Sequence, residues 1–237
     1  MFMDKHKGEK VEDLTEPKWQ LLTTSFKTNK PLDKLFPMAD LLKKVDADII
    51  FLTEVGGKES LDNFNRHFLN NYYEIIHFKS NSDRGIDIAA LVTPELKVKK
   101  RFHNDSVYAR GILEVNLTIN NKNLCFLHTH LKSKLNMSGK DFEGRSQREK
   151  EVRALGKIIQ KRQALTGTEV IVTGDLNGII YQDQTEPELA LFAKDYGLID
   201  CFEHLKYPFF DRWSYLYYNK QAQGVFMQLD YCLMSED

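Results

Sequence analysis

Polar side chains lie where several apolar, strand-like runs of this chain end. Glu54 closes the run DIIFLTEV, and Asp175 and Asn177 follow EVIV within the turn TGDLNG. Such strand ends hold a polar group rigidly toward a cleft. An aspartate beside an asparagine amide suits polarising a water molecule and then stabilising a charged oxygen. The alternatives are a solvated glutamate and an Asx turn without catalytic value.

Asp230 lies inside a further apolar run, LDYCLMS. A carboxylate buried in such a run costs on the order of several kcal/mol unless it is paired. Asp230 is therefore expected to orient a histidine, to accept hydrogen bonds or to lie at a site. The alternative is an aspartate at a strand edge that faces water.

Two histidines, His128 and His130, stand two residues apart on a strand-like segment, so their side chains share one face. Such a pair can hold zinc, which gives the hypothesis of a zinc hydrolase. However, Leu131 and Lys132 follow where the familiar zinc hydrolase patterns continue with a carboxylate. Lys132 and Lys134 favour an anionic ligand instead. The structural alternative is one core histidine and one exposed histidine.

Basic residues provide candidate contacts to an anionic substrate. Arg84 precedes the run IDIAALV in a loop, where a guanidinium could clamp a phosphate with two parallel hydrogen bonds. The stretch from Lys132 to Arg162, which includes Arg148, holds ten basic and four acidic residues, a net charge of +6. We take Arg84, Lys132 and Arg148 as candidate substrate-binding residues. The alternatives are an exposed turn arginine and a solvated helix face.

Aromatic residues are concentrated late in the chain, where seven of the twelve residues from Tyr207 to Tyr218 are Phe, Tyr or Trp. Core and loop packing is the default interpretation of such a run. The sharper interpretation is a stacking wall for a base or another flat group.

Composition narrows the class of protein. The 237 residues include 33 basic and 34 acidic side chains, so the basic excess typical of tight, non-specific nucleic-acid binding is missing. A polyanionic partner would need a local patch or a metal. No apolar run approaches the roughly 18 residues of a membrane helix, and the charged N-terminus shows no signal peptide. With three cysteines on apolar segments, we expect a cytoplasmic protein with reduced thiols.

Hydrophobic periodicity predicts several helices. Apolar residues recur at helical spacing from Leu32 to Val45, where Pro37 marks a kink or the true helix start. Ser146–Glu149 has the spacing of a capping box, which predicts a helix over 147–163. A further helix is expected over 186–195.

Strand-like segments alternate with these helices, some as hairpins. A tight turn is expected at Asn120–Asn123, and one late strand is expected in VFMQLDYCLMS. This order favours a mixed α/β class with antiparallel pairing over a doubly wound parallel sheet. Because no Pro/Gly/Ser-rich linker divides the chain, we expect one domain over 1–237.

Taken together and in this order, the segments resemble the endonuclease/exonuclease/phosphatase superfamily, the deoxyribonuclease I-like fold, and its bacterial members in particular. Four elements carry the resemblance: DIIFLTEV, THLKS, TGDLNG and LDYCLMS. RGIDIAALV is also similar to the central strand of that family. The resemblance covers about residues 40–235, and the ordered set is far more specific than any one motif.

The resemblance implies a fold, a reaction and a role for each polar residue. The fold would be a four-layer α/β/β/α sandwich of two mixed, mainly antiparallel sheets. The reaction would be hydrolysis of a phosphate ester with Mg²⁺ or Mn²⁺. Glu54 would be the principal metal ligand, Asp175 would orient or deprotonate the attacking water, and Asn177 would hold that water or the developing oxyanion. His130 would donate to a phosphate oxygen, and Asp230 would orient a second histidine.

Two departures from the family pattern modify this expectation. Family members begin with a strand that ends in Asn and finish with a Ser-Asp-His element. The chain is expected to start just after the first and to stop before the second, as a truncated or a degenerate member. The favoured function is a metal-dependent phosphodiesterase, nuclease or phosphatase. The alternative is an impaired member that acts as a binding scaffold. Near-neutral charge favours a small phosphoester, a nucleotide or a lipid headgroup as substrate, while the basic stretch leaves nucleic acid open.

Overall fold

Two main sheets carry most of the strands, and each lies in a compact unit of its own. The computed structural model describes residues 14–22, 30–82, 84–135, 141–181, 184–219 and 221–235. The units are Met1–Lys97 and Val98–Asp237. The prediction of a single domain stays a prediction. No helix among the described residues is long and apolar enough to span a membrane.

The first unit packs three helices and a three-stranded antiparallel sheet of order β1-β3-β2. Its elements are α1 (Glu16–Gln20), α2 (Leu32–Val45), β1 (Ile49–Val55), α3 (Lys58–Phe68), β2 (Glu74–Phe78) and β3 (Asp87–Val92). Burial of Trp19, Leu35, Phe64 and Leu91 forms its core, because the apolar faces of the helices and the sheet can leave water only by packing together.

The helix predicted over Leu32–Val45 is confirmed, but Pro37 lies inside it rather than at its start. Lys34 N and Leu35 N donate to Pro31 O at 3.0 and 3.3 Å, so the first helical hydrogen bonds begin at Pro31. The helix therefore starts after Pro31, and Pro37 does not mark its start.

The second unit contains a six-stranded sheet of order β4-β5-β6-β7-β11-β8 and a two-stranded sheet of β9 and β10. Its strands are β4 (Lys99–His103), β5 (Ile112–Ile119), β6 (Lys122–His130), β7 (Thr168–Asp175), β8 (Leu198–Asp200), β9 (Tyr215–Tyr218), β10 (Gly224–Met227) and β11 (Asp230–Ser235). Its helices are α4 (Arg145–Gln163), α5 (Leu191–Tyr196) and α6 (Cys201–His204). The fold-class prediction of two mixed, mainly antiparallel sheets is confirmed.

The parallel pairing of β6 with β7 decides where this unit brings its polar residues together. α4 connects the two strands, as a parallel pair requires a crossover. The carboxyl ends of the two strands therefore lie side by side at one edge of the sheet. The pairs β4–β5, β5–β6, β7–β11 and β8–β11 are antiparallel.

The predicted tight turn between β5 and β6 is confirmed. Ile119 pairs with Lys122, and the two residues between them, Asn120 and Asn121, have φ angles of 50° and 65°. Two-residue hairpins favour asparagine there because it tolerates positive φ.

The single late strand predicted from VFMQLDYCLMS is wrong, because the segment forms β10 and β11 in different sheets. Between them, Leu229 N and Asp230 N both donate to Ser214 Oγ, at 3.0 and 3.1 Å. Leu229 O accepts from Leu176 N at 2.8 Å. These contacts come from distant parts of the chain and are invisible to local periodicity.

The capping box predicted at Ser146–Glu149 is also wrong, although the helix that follows is confirmed. α4 begins at Arg145 after Gly144, which has a left-handed backbone. The Asp141 carboxylate accepts from Ser146 N and Gln147 N at 2.8 and 3.0 Å, and these bonds lower its pKa. An upstream carboxylate thus caps the first turn. Of the helix expected over 186–195, only the part from Leu191 is helical, as α5.

A buried carboxylate, Glu114 on β5, joins the sheet to the end of α4. It lies 2.6 Å from His103 Nε2 and 2.8 Å from Arg162 Nη2. Burial alone would raise the pKa of Glu114, but the hydrogen bonds from His103 and Arg162 outweigh it and lower the pKa to about 2.

We predict that Glu114→Gln destabilises the fold in a pH-dependent way. A carboxylate with a lowered pKa stabilises the fold above its ordinary pKa, and that stabilisation is lost as the pH falls from 4.5 towards 2. The wild-type advantage should reach about 3 kcal/mol at neutral pH and shrink over that window. Urea unfolding at several pH values measures it. Glu149→Gln, on the exposed side of α4, should change stability by less than about 1 kcal/mol, and a pH-independent loss at Glu114 would contradict the linkage.

Candidate functional site

The carboxyl ends of β6 and β7 bring His130 and Asp175 together. The two residues are partners in the parallel register, and His130 Nε2 lies 3.4 Å from Asp175 Oδ2. The imidazole is almost fully buried, whereas 21% of the Asp175 side chain is exposed. The pair thus presents a carboxylate to solvent with an imidazole behind it.

Asn177 fixes the second oxygen of the same carboxylate. Its backbone N–H donates to Asp175 Oδ1 at 2.8 Å, and its side-chain Nδ2 donates to Leu131 O at 3.0 Å. Asn177 has a φ of 51°, a conformation that asparagine tolerates better than most residues. The Asx turn considered from sequence is therefore present, and it orients Asp175 between His130 and Asn177.

Gly174 allows the two strands to approach just before this carboxylate. Its φ is 133°, and a Cβ atom there would lie 1.8 Å from Thr129 O. No side chain fits that distance, so glycine is required at this position.

The segment that follows His130 is held from both sides by polar groups. Leu131 N donates to Asp175 O at 2.9 Å, and Leu131 O accepts from Arg110 Nη1 at 3.0 Å as well as from Asn177. The backbone between the strand end and Lys132 is thereby fixed to β7.

Glu151 of α4 anchors the next residue. Its carboxylate accepts from Lys132 N at 2.7 Å and from Ala109 N at 3.1 Å. Burial raises the pKa of Glu151, against the lowering effect of these two hydrogen bonds. A carboxylate in this position therefore connects the start of β5 to the segment after β6.

Arg148 requires a correction, because the sequence placed it among the substrate-binding residues. It is fully buried, and Nε and Nη2 donate to Glu188 Oε1 at 3.1 and 2.6 Å. Nη2 also donates to Glu186 Oε2 at 3.0 Å, and Nη1 donates to Lys132 O and Glu143 O at 3.1 and 2.9 Å. The five N–H groups of a guanidinium are all used inside the protein, so Arg148 supports the site rather than contacting substrate.

Glu186 joins the two segments that follow β6 and β7. Its Oε1 accepts from Ile179 N at 3.1 Å and from Lys134 Nζ. Burial opposes ionisation, but Lys134 and Arg148 lower its pKa overall. Lys134, after His130, and Ile179, after Asn177, are thus tied to one carboxylate.

Asp230 was expected to orient a histidine, to accept hydrogen bonds or to lie at a site, with a strand-edge aspartate facing water as the alternative. It is exposed at the first position of β11, where its Cα pairs with that of Asp175. The alternative of an aspartate facing water describes its surroundings, because β11 begins at Asp230 and the apolar residues follow it. Its role in orienting a histidine stays a prediction.

Glu54 and Arg84 both belong to the first unit. Glu54 is exposed in β1 with a φ of 56°, and the β1–β3 register shifts between Leu52 and Val55. Positive φ at a glutamate costs about 1 kcal/mol or more, so the bulge holds the backbone of Glu54 in a strained conformation. Arg84 lies in an exposed turn, with its N–H 3.3 Å from Ser82 Oγ.

Both histidines of the predicted pair are buried, which corrects the alternative of one core and one exposed histidine. His128 Nδ1 lies 3.1 Å from Thr173 Oγ1. In the part of the chain that the structure describes, no group of three or more His, Cys, Asp or Glu side chains is placed to hold a metal. Zinc sites use three or four protein ligands, so the zinc hydrolase hypothesis gains no support.

Sequence reasoning missed the charges that support the site: the buried Arg110, Glu151 and Glu188 and the partly buried Glu186. A signal existed for one of them. Glu151 adjoins Val152 and shares the apolar stripe of α4 with Leu155 and Ile159, and a charge on a buried stripe must be paired.

The family model described as endonuclease/exonuclease/phosphatase family matches residues 5–226. This chain belongs to that family. The family comprises hydrolases that act on phosphate esters, so the coarse prediction of a phosphoesterase family is confirmed. Among curated proteins, none matches the sequence.

Solved structures share the fold. A humanized zebrafish (D. rerio) TDP2 matches with a TM-score of 0.65 and 19% identity, over 86% of this chain and 76% of that one. D. rerio TDP2 complexed with single-strand DNA product gives 0.64 and 17% over the same shares. A mannosyl-6-phosphatase of Bacteroides thetaiotaomicron gives 0.59 and 13%, again over 86% and 76%. The deoxyribonuclease I-like prediction is confirmed at the level of fold.

We predict that Arg148→Met destabilises this family member by about 3–5 kcal/mol, because it removes the cation 2.6 Å from the buried Glu188 and one of the two cations beside Glu186. Arg153→Met on the same helix is the control. Arg153 is half exposed and pairs with Glu149 at 2.8 Å, so its loss should change stability far less than the loss of Arg148. Chemical unfolding measures both variants, and equal losses would contradict the role given to Arg148.

Proposed function

We propose that the chain hydrolyses a phosphate ester by in-line attack of an activated water molecule, with Mg²⁺ or Mn²⁺ as cofactor. Membership of the family supports the reaction class. The observation that carries the proposal is the Asp175 carboxylate, whose two oxygens are fixed by His130 and by Asn177 N at one edge of the sheet.

Asp175 is the proposed group that orients the water molecule and accepts its proton. A general base must be held within hydrogen-bond reach of the proton that it abstracts, and the two contacts restrict this carboxylate to one orientation. His130 Nε2, when it carries a proton, donates to a phosphate oxygen or to Asp175. Asn177 Nδ2 carries a second N–H beyond the one given to Leu131 O, and this donor stabilises the developing charge.

The donor chemistry fits a hard divalent cation. Mg²⁺ binds through one or two carboxylates together with water and substrate phosphates, so a cluster of three protein ligands is not required. The exposed Glu54 carboxylate is the proposed ligand from the family resemblance. When bound, the cation would neutralise charge on the phosphate.

Lys132 and Arg84 are the proposed phosphate contacts, and Arg148 is withdrawn from that role. Glu151 and Arg148 fix the backbone N–H and the carbonyl of Lys132. Its side-chain ammonium is the group proposed to contact the phosphate. The single-strand DNA product held by one TDP2 structure and the sugar phosphatase among the neighbours support nucleic acid or a small phosphoester as substrate. Asp230 remains a proposed positioning residue.

We predict that Asp175→Asn lowers kcat for a generic phosphodiester by about 10²–10³-fold, the size expected for a key electrostatic group. Glu54→Gln should raise the Mg²⁺ concentration needed for half-maximal rate. Chelation should abolish turnover, and added Mn²⁺ should restore it.

Asp195→Asn is the matched control, because Asp195 is exposed on α5 and should keep the wild-type rate. Circular dichroism checks that each variant is folded. Unchanged rates in Asp175→Asn and Glu54→Gln would contradict the proposed mechanism. A folded wild-type chain that turns over no phosphoester with either metal would favour the binding-scaffold alternative.

A further inference from the structure

Two cysteines of the second unit, Cys201 and Cys232, lie opposite each other at the edge of the six-stranded sheet. The antiparallel register of β8 and β11 pairs Asp200 with Leu233. One further step along that register leads to Cys201, the first residue of α6, and to Cys232 of β11. Residues paired in an antiparallel sheet have Cα atoms about 4.5–5.5 Å apart, and a disulfide requires about 4.4–6.8 Å. The register therefore brings the two cysteines to a spacing that a disulfide can bridge.

The two thiols are in direct contact, because the Cys232 thiol donates a hydrogen bond to Cys201 Sγ. Burial, together with the nearby Asp200 carboxylate, raises the pKa of both thiols, and the pKa of Cys232 reaches about 12. The hydrogen bond acts in opposite directions on the two groups. It lowers the pKa of Cys201, the acceptor, and raises the pKa of Cys232, the donor. Cys201 is therefore the thiol that loses its proton first, with the Cys232 sulfur beside it.

The third cysteine, Cys125, lies on the other face of the same sheet. Neighbouring side chains of a strand alternate between the two faces. Tyr231 and Leu233 belong to the core cluster that also contains Cys125 and residues of α4, so Cys232, which stands between them, points to the opposite face. Cys125 is fully buried, whereas Cys201 and Cys232 are both partly exposed. The sheet thus separates the pair from the third thiol.

Cysteine pairs in proteins also hold metals or fill a core as small apolar side chains. A structural zinc ion takes four protein ligands, and the described residues contain no group of three or more His, Cys, Asp or Glu placed for a metal. Cys125 fits the core role. Cys201 and Cys232 differ from it in their partial exposure and their mutual contact, and these are the two features that oxidation to a disulfide requires.

We propose that Cys201 and Cys232 form a modification site, at which hydrogen peroxide joins them in a reversible disulfide that fastens α6 and β8 to β11. The Cys201 thiolate attacks one peroxide oxygen, so that an S–O bond forms and the O–O bond breaks. The hydroxide released takes up the proton that Cys201 had lost and leaves as water. The Cys232 sulfur then attacks Cys201 Sγ, the S–S bond forms, and the sulfenic hydroxyl leaves with the Cys232 proton as a second water. Two thiols are oxidised, and one peroxide is reduced to two water molecules.

The cross-link acts on a short strand at the edge of the sheet. β8 has three residues and is the last strand of its sheet, beside β11, and such short edge elements open more easily than the strands of a core. The two cysteines are 31 residues apart in the sequence, and α6, β9 and β10 lie between them. A disulfide that closes a loop of this length restricts the unfolded chain and so stabilises the folded one.

The test compares the whole chain kept in dithiothreitol with the chain treated with millimolar hydrogen peroxide. Free thiols are then alkylated in denaturant, and the digested protein is mapped by mass spectrometry without reduction. The oxidised protein should carry one disulfide within the chain, between Cys201 and Cys232, while Cys125 is recovered as an alkylated thiol. Its melting temperature should rise by about 5–10 °C. Dithiothreitol should reverse both changes.

Single variants separate the roles of the three thiols. Cys201→Ser and Cys232→Ser should each prevent both the disulfide and the rise in melting temperature. In Cys232→Ser, Cys201 should stop at the sulfenic acid, which dimedone traps. Cys125→Ala is the matched control and should keep the cross-link. Because mapping of the wild-type protein needs no variant, the proposal stays testable if a variant fails to fold.

The proposal is overturned if peroxide converts Cys201 to the sulfinic acid while Cys232 remains a thiol. It is equally overturned by a disulfide that joins two chains or includes Cys125, or by recovery of all three thiols from the treated protein. A Cys201–Cys232 disulfide that leaves the melting temperature unchanged overturns the fastening of β8. These readouts do not depend on turnover, so they stand whether or not the chain hydrolyses a phosphate ester.

Discussion

The buried guanidinium of Arg148 is the interaction on which the polar edge of the second sheet depends. The guanidinium forms ion pairs with two carboxylates, Glu186 and Glu188, and donates to the carbonyl of Lys132. Removing an arginine from water is costly, and its hydrogen bonds compensate only when every donor finds an acceptor. These hydrogen bonds hold the segments after β6 and β7 in place.

That rigidity matters because the proposed reaction depends on accurately positioned catalytic groups. Phosphoryl transfer is catalysed mainly by positioning and electrostatic stabilisation, so groups that already hold the correct orientation avoid reorganisation during the reaction. Gly174 lets β6 and β7 approach, the parallel register sets His130 beside Asp175, and Asn177 turns back onto both strands. His130 and Asp175 thus lie at paired strand ends, and Asn177 is held by the backbone of Leu131, directly after β6.

The sequence predicted the elements and the strand-end residues well, because periodicity and turn chemistry are local. The α4 helix, the Asn120–Asn121 turn and the positions of His130 and Asp175 follow from such patterns. The exposure of Asp230 and the internal role of Arg148 do not. Arg148 meets its carboxylates across about 40 residues of chain, and no local pattern shows which of ten nearby basic residues will be buried.

Because some arginines pair with internal carboxylates, fewer positive charges are available to bind an anionic substrate. The basic stretch from Lys132 to Arg162 suggested a surface for polyanions, yet Arg148 and Arg162 use their charge on internal carboxylates. Long nucleic acids bind largely through many phosphate contacts and the counterions that they release. A chain of net charge −1 with part of its positive charge buried is poorly suited to that mode. A small phosphoester, the proposed substrate class, needs few surface cations and therefore fits this distribution of charge better than a long nucleic acid does.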